Sequence, residues 1–392
     1  SGGKGSESGP VAARGAAAAL GLAALLGMVC GVTGTGCRLG PEYTRPEVAV
    51  PADWRWKPAE PRDHEPRGAW WSVFGDPSLD ALQRMAGEGN LDLRAAFARV
   101  EQARATARVT QADFYPSVNG AATYTRYRTS GNAPSPVGFP IPSFTLEQWE
   151  TPLDLSYEVD LWGRVRRSFE SARLRAMAAE SARQAVLLAL QADVALGYFT
   201  VQSLDREIGL LERTVEVRSE ALAIFRQRLQ AGMLTEFEVE RGQVEVSSAG
   251  AELEATRRLR AIAWNRLAEL CGRTPSAFDM EVPTNRVSLP AIVPDLPSSL
   301  LERRPDVAEA ERLLASRLSE IGVAKAAFFP SVRLTAAGGL LSGEASNLFE
   351  WDSRTWMLGP RIDFPVFAGG RNRAELERVE AAYEEAVALY RA

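Results

Sequence analysis

The sequence predicts an α+β membrane protein built on an internal repeat, with four β-strands and sets of long helices in each chain. Three observations carry this. A mark that ends a helical run and starts an alternating one occurs twice, at Phe114-Tyr115-Pro116-Ser117 and at Phe328-Phe329-Pro330-Ser331. Each alternating region closes on a Gly-Arg step that opens a charged helix, at Leu161-Trp162-Gly163-Arg164 and at Phe367-Ala368-Gly369-Gly370-Arg371. Between the copies, Arg164 to Gln230 contains no proline, and as one helix it would reach ~100 Å at about 1.5 Å per residue. That is too long for a compact domain, and a repeat of this size must be settled before any motif is read.

The bounds are restrictive. The chain has 392 residues and a formal net charge of −5, so no basic surface calls for nucleic acid. Its one histidine, His64, stands in a Pro- and Arg-rich segment and reads as solvated. Metal sites and histidine-based triads are therefore set aside, and no cofactor is expected. The three cysteines, Cys30, Cys37 and Cys271, lack zinc or redox spacing, and Cys271 reads as a buried small residue at a helix end.

The chain begins with Ser rather than Met, so its first residues are expected to be missing. Lys4 and Arg14 precede an apolar segment, Ala16 to Val32, which fits an export signal over 1–36. Cleavage after Thr33-Gly34-Thr35-Gly36 would leave Cys37 as a lipidated first residue, although Gly34 stands where Leu is usual. The alternative is a simple secreted N-terminus. Residues 37–74 form an extended arm, rich in Pro and Trp, that packs along a surface.

The first repeat, 75–272, starts with a short helix capped by Asp76 with Pro77 in its first turn. A helix from about Leu91 to Asp113 follows, its apolar face set by Leu93, Phe97, Val100, Ala103 and Ala107. Pro116 ends it. The β-hairpin spans 117–160. Its clearest strand sets Leu153, Leu155, Tyr157 and Val159 against Asp154, Ser156, Glu158 and Asp160, whereas the run from Val118 to Tyr127 is weaker. A long helical hairpin occupies 164–271. Leu204, Ile208, Leu211, Val215, Arg218, Leu222, Phe225 and Leu229 step by four and three, a coiled-coil seam with one polar member. Gly232-Met233-Leu234-Thr235 reverses the chain, with Gly232 at the helix end and Thr235 as the next N-cap.

A Pro-rich connector covers 273–299. The second repeat, 300–392, has a helix, a β-hairpin at 331–367 and a long helix that starts at Arg371. Its strands set Val332, Leu334, Ala336, Gly338 and Leu340, then Trp356, Leu358, Pro360, Ile362, Phe364 and Val366, on one face. Matching the copies, the second long hairpin is expected to continue for roughly 80 residues past Ala392. Pro116, Gly163, Pro330 and Gly370 are the four helix–strand junctions.

Each alternating run is about ten residues long, the length of a tilted transmembrane strand with apolar residues toward lipid and polar ones toward a lumen. A soluble antiparallel sheet with one wet face is the alternative. In lipid, open sheet edges are untenable, and four strands cannot close a barrel, so chains must share one. Two chains would give eight strands and three would give twelve, with room for a pore.

Several blocks resemble the TolC-like outer membrane factors, in the lipoprotein branch that serves RND-type drug efflux pumps. They are Cys37 with Gly40-Pro41-Glu42-Tyr43-Thr44-Arg45-Pro46, Trp70-Trp71 with Phe74-Gly75-Asp76-Pro77, Leu301-Glu302-Arg303-Arg304-Pro305-Asp306, Ile321-Gly322 with Phe328-Phe329-Pro330, and Gly369-Gly370-Arg371. The resemblance implies a homotrimer with a twelve-stranded transmembrane β-barrel, four strands per chain, continued by an α-helical coiled-coil tunnel in the periplasm. The connector would be equatorial. It also implies embedding in outer membrane lipid, a periplasmic adaptor docking on the tip Gly232, Met233, Leu234 and Thr235, and an RND-type inner-membrane pump. Glu238 departs from the Asp more usual beside such tips. Function is then passive outward conduction of small molecules and drugs. An outer channel for type I protein secretion or for metal-ion efflux is the close alternative, and a periplasmic coiled-coil adaptor or scaffold the distant one. No enzyme is expected: Glu302 and Asp306 flank a helix start and have no nucleophile or base beside them.

Overall fold

The structure, a computed structural model, describes residues 39–44, 68–132, 142–280 and 304–391. The export signal, Cys37, His64, most of the arm and residues 281–303 lie outside the described residues. Six helices are described: α1 (Pro77–Gly89), α2 (Leu91–Ala112), α3 (Arg164–Gln230), α4 (Glu236–Leu270), α5 (Pro305–Ala326) and α6 (Arg371–Arg391). The strands are β1 (Ser117–Gly120), β2 (Thr123–Arg128), β3 (Thr145–Val159), β4 (Ser331–Ser342) and β5 (Arg354–Asp363). The chain forms two compact units, Ser1–Glu47 with Arg104–Arg175 and Leu313–Ala392, and Val48–Ala103 with Ala176–Arg312.

The first unit holds one antiparallel sheet in the order β1/β2, β3, β4, β5. β1 and β2 are one strand interrupted at Ala121–Ala122. The pairs Gly120↔Leu153 and Thr123↔Glu150 leave two residues on each side of the gap, so register is kept across it. The gap lies opposite Pro152, which has no N–H to give to the ladder. β5 ends at Asp363, two residues before Pro365, so Phe364 and Val366 continue the apolar alternation outside the strand.

Both strand-start corners use an aromatic wedge. Phe114 meets Phe169 edge-on at 5.6 Å, and Phe329 stacks on Trp162 at 4.8 Å. The Trp162 indole N–H donates to the Pro330 carbonyl at 2.6 Å. α5 packs on α6 through Leu318, Ile321, Ala324 and Val379. A short piece of the arm crosses this unit at a point of close approach. The buried Arg167 guanidinium donates to the Pro41 carbonyl at 3.0 Å and the Leu39 carbonyl at 3.4 Å, and pairs with Glu170 at 3.1 Å. Gly40 passes over Gly322 so closely that a Cβ on it would come within 2.9 Å of the Gly322 Cα.

The second unit holds the main described core. Leu79, Leu82, Tyr198 and Leu267 are fully buried in it, each apolar side chain contributing about 1.5–3 kcal/mol. Trp70, Trp71 and Phe74 pack against this core. Asp76 caps α1, its carboxylate accepting from the Ser78 and Leu79 amides and from the Tyr198 hydroxyl. Burial and that carboxylate push the Tyr198 phenol well above its ordinary range. Asn90 ties two helix ends together, donating to the Leu270 carbonyl at 3.0 Å and accepting from the Leu93 amide at 2.9 Å. The buried face of α2 is Leu93, Ala96 and Val100; Phe97, expected there, is half-exposed, and the Arg183 guanidinium covers its ring at 4.7 Å.

Candidate functional site

The sheet has two chemically opposite faces. Register places Val118, Leu155, Ala336 and Leu358 in one cross-strand row, and Gly120, Leu153, Gly338 and Trp356 in the next. Tyr157, Leu334 and Pro360 share the same face, as do Val159, Val332 and Ile362. The opposite face carries the rows Ser117–Ser156–Thr335–Gly359 and Asn119–Asp154–Ala337–Met357. No strand residue of this sheet is buried on either face, although a soluble sheet would bury its apolar side. Leu153, Trp356, Leu358 and Ile362 all stand more than half exposed. An apolar band without a protein partner, opposed by a wet face, is the surface of a strand set between lipid and a lumen.

Among the described residues, the two outer strands of the sheet, β1/β2 and β5, each have a partner on one side only. Lipid cannot satisfy those backbone groups, so the edges must pair with other chains.

Pro116 and Pro330 precede β1 and β4, and Gly163 (φ 77°) and Gly370 (φ 83°) precede α3 and α6. Asp160, read from sequence only as the last polar member of the alternating strand, caps α3: its carboxylate accepts from the Val165 and Arg166 amides, both at 3.0 Å. Beside it, the Glu158 carboxylate accepts twice from Arg164, at 2.7 and 2.9 Å, and holds that guanidinium above its ordinary pKa.

The tip of the α3–α4 hairpin is closed by two capping devices. The Met233 amide donates to the Arg228 carbonyl and the Gly232 amide to the Leu229 carbonyl, each at 2.9 Å. This is a Schellman motif, and it needs the left-handed φ of 70° that Gly232 supplies. On the return side, the Glu238 carboxylate accepts from the Thr235 amide at 2.9 Å and the Thr235 hydroxyl at 3.1 Å. Glu rather than Asp here has the reach for that bond. Met233 and Phe237 stand 70% and 74% exposed. A shallow groove beside them is lined by Phe225, Arg228, Leu234, Glu238 and Arg241.

Along the hairpin, the expected seam is the one covered within the chain, with Leu222 buried. Its polar member, Arg218, donates to the Glu245 carbonyl at 3.0 Å and pairs with the Glu245 carboxylate at 3.3 Å. A second apolar stripe, Leu210, Val217 and Ile224, repeats every seven residues and is exposed. Heptad counting at the other phase would have found it. At the α4 end, burial pushes the Cys271 thiol up to about 11.

Residues 82–273 and 296–392 match the family model described as outer membrane efflux protein. Over 374 residues the chain is 35% identical to outer membrane protein OprJ of Pseudomonas aeruginosa, covering 93% of this chain and 76% of that protein. It is 34% identical over 362 residues to the toluene efflux pump outer membrane protein TtgC of Pseudomonas putida, covering 91% and 74%. It is 32% identical over 363 residues to the cation efflux system protein CusC of Escherichia coli, covering 91% and 76%. Among solved structures, a membrane protein from Pseudomonas aeruginosa superposes with a TM-score of 0.80 at 34% identity, covering 91% of this chain and 80% of that one. The outer-membrane channel OprN superposes with a TM-score of 0.78 at 30% identity, covering 90% and 79%.

Proposed function

The chain belongs to the outer membrane efflux protein family, and from that premise we propose how its parts meet the rest of an efflux assembly. The protein is an outer membrane channel of a tripartite efflux system, in the trimeric fold of a β-barrel continued by a helical tunnel. Four strands from each of three chains close the twelve-stranded wall, with edge β5 of one chain beside edge β1/β2 of the next. The observation that carries this reading is the register of the sheet, which gathers Leu153, Leu155, Tyr157, Val159 and their cross-strand partners on one face and Asn119, Asp154, Ser156, Glu158 and Thr335 on the other.

The role in transport is passive. The lumen face offers polar walls, and the energy comes from an inner-membrane pump of the RND type. The exposed stripe Leu210, Val217 and Ile224 packs on helices of a neighbouring chain in the tunnel. The tip Gly232-Met233-Leu234-Thr235 takes a periplasmic adaptor, with Met233 and Phe237 as its apolar contacts. Cys37 carries a lipid that adds a membrane anchor, and mass spectrometry of wild type and Cys37→Ser tests this: no acyl mass on the wild type sinks it.

The cargo is small molecules. Since TtgC is named for toluene and CusC for cations, the deciding experiment is tolerance in a host lacking its own efflux channels. Full-length protein co-expressed with its pump and adaptor should restore tolerance to organic drugs. Restored tolerance to metal cations alone would move the reading to metal-ion efflux. Failure of both, with protein present in the outer membrane, would refute the efflux reading.

A further inference from the structure

The apolar face of the sheet carries ionised side chains at one end only. Among its described strand residues these are Arg126, Arg128 and Glu147 on the first hairpin and Arg354 on the second. All four stand at the loop end, away from the helix junctions. On β2 the order along the outward face is Tyr124, Arg126, Arg128, and on β5 it is Trp356 then Arg354. Each edge strand thus places arginine two residues beyond an outward aromatic. Tyr124 packs on Trp149 at 4.4 Å, which marks the upper border of the apolar band on β3. Below that border the outward run Trp149 to Val159 climbs about 25 Å, at about 3.3 Å per residue and a tilt near 40°. The arginines therefore lie at the level of the headgroups of the outer leaflet.

Among the described residues their charge is only partly answered. Arg126 pairs with Glu147 at 3.3 Å, with both side chains well exposed. Among the described residues Arg128 donates to a hydroxyl, Ser143 Oγ at 3.0 Å. Arg354 donates to the Trp351 carbonyl at 2.7 Å and covers the Trp351 ring. The acidic residues of the turn before β5, Glu344, Glu350 and Asp352, lie outside the strand rows. Sequence 133–141, the remainder of the first loop, has no charged residue.

The two positions converge once the barrel closes. β5 of one chain adjoins β1/β2 of the next at about 4.8 Å, so Arg354 and the pair Arg126 and Arg128 border the same seam. We propose that this seam binds the phosphate groups of a phosphorylated glycolipid of the outer leaflet, through Arg126 and Arg128 of one chain and Arg354 of its neighbour. Guanidinium forks give phosphate paired, charge-assisted hydrogen bonds. The aromatics below them, Tyr124 and Trp356, face the start of the acyl chains. Each trimer has three such seams, and neither set of arginines forms the site alone.

This inference rests on the barrel reading, and the test separates the two. Full-length trimer in detergent is incubated with radiolabelled diphosphoryl lipid A, with the same lipid after phosphatase treatment, and with inorganic phosphate as competitor. Wild type should retain the diphosphoryl form and release the dephosphorylated one, and millimolar phosphate should not displace it. Arg126→Gln/Arg128→Gln/Arg354→Gln should bind about tenfold more weakly, whereas the corresponding Lys variant should keep most of the affinity. If the triple Gln variant does not assemble, Arg128→Gln and Arg354→Gln alone should each weaken binding. Equal retention by wild type and an assembled Gln variant overturns the proposal, as does equal retention of the phosphate-free lipid. Displacement by phosphate alone would reassign the seam to free anions. Absence of any detergent-stable trimer in wild type would instead overturn the barrel.

Discussion

Arginine at Leu153 tests which face of the sheet meets lipid, near the middle of the apolar band. Leu153 lies four residues below Trp149 on the outward run that ends at Val159, close to its midpoint. Its row neighbours are Gly120 and Gly338, so a longer side chain meets no crowded neighbour across the strands. The cost of Leu153→Arg is therefore solvation rather than packing. An arginine on a lipid-facing strand near the bilayer midplane costs about 2–4 kcal/mol, and three copies raise this to about 6–12 kcal/mol per trimer. That is comparable to the whole stability of an ordinary domain. Ala337→Arg is the matched comparison, at nearly the same depth but on the other face, in the row that contains Asp154. The assay is the heat-resistant trimer fraction in outer-membrane extracts, followed against temperature. Leu153→Arg should lose most of it and Ala337→Arg little. Equal loss in both, or equal survival, would refute the assignment of the two faces.

Other outcomes follow from single contacts. Gly232→Ala should destabilise the hairpin by about 1–2 kcal/mol through its left-handed φ of 70°, read as a lower thermal midpoint; an unchanged midpoint would remove the Schellman turn from the account. Arg167→Met leaves two arm carbonyls without their buried donor and should cost about 1–3 kcal/mol, with faster proteolysis near residue 44; an unchanged digestion pattern would argue against the clasp. Cys271 has its folded pKa raised from 9.0 to about 11. Its contribution is thus fully present below pH 9 and is lost as pH rises toward 11. The native thiol should resist iodoacetamide at pH 8 and react once the protein is unfolded, and rapid native labelling would contradict its burial.

Period-two strands and period-seven helices were legible because each leaves its mark on every second or every seventh residue. The β3 and β4 faces, the ends of α3 and the tip turn all come from such local rules. What escaped was set by partners distant in sequence. Phe97 has the spacing of a core residue, but α2 turns Ala96 inward and leaves Phe97 beneath Arg183. Asn90 reaches the Leu270 carbonyl, 180 residues away, a contact that no local pattern announces. The stripe at Leu210, Val217 and Ile224 was in plain view yet hidden by the stronger seam. Arg126 and Arg128 break the alternation of the first strand, which is why that run looked weak: they mark where the apolar band stops.

The clasp at Arg167 grips the arm through two main-chain carbonyls and through the bare Cα of Gly40. At this crossing it therefore reads the path of the main chain and a missing side chain at Gly40. Gly40 is the constrained position at this crossing, whereas Trp70, Trp71 and Phe74 further along the arm are held by their own side chains. An arm transplanted from a relative should seat on this body, provided that it brings glycine to the crossing with Gly322 and aromatic side chains where Trp70, Trp71 and Phe74 stand.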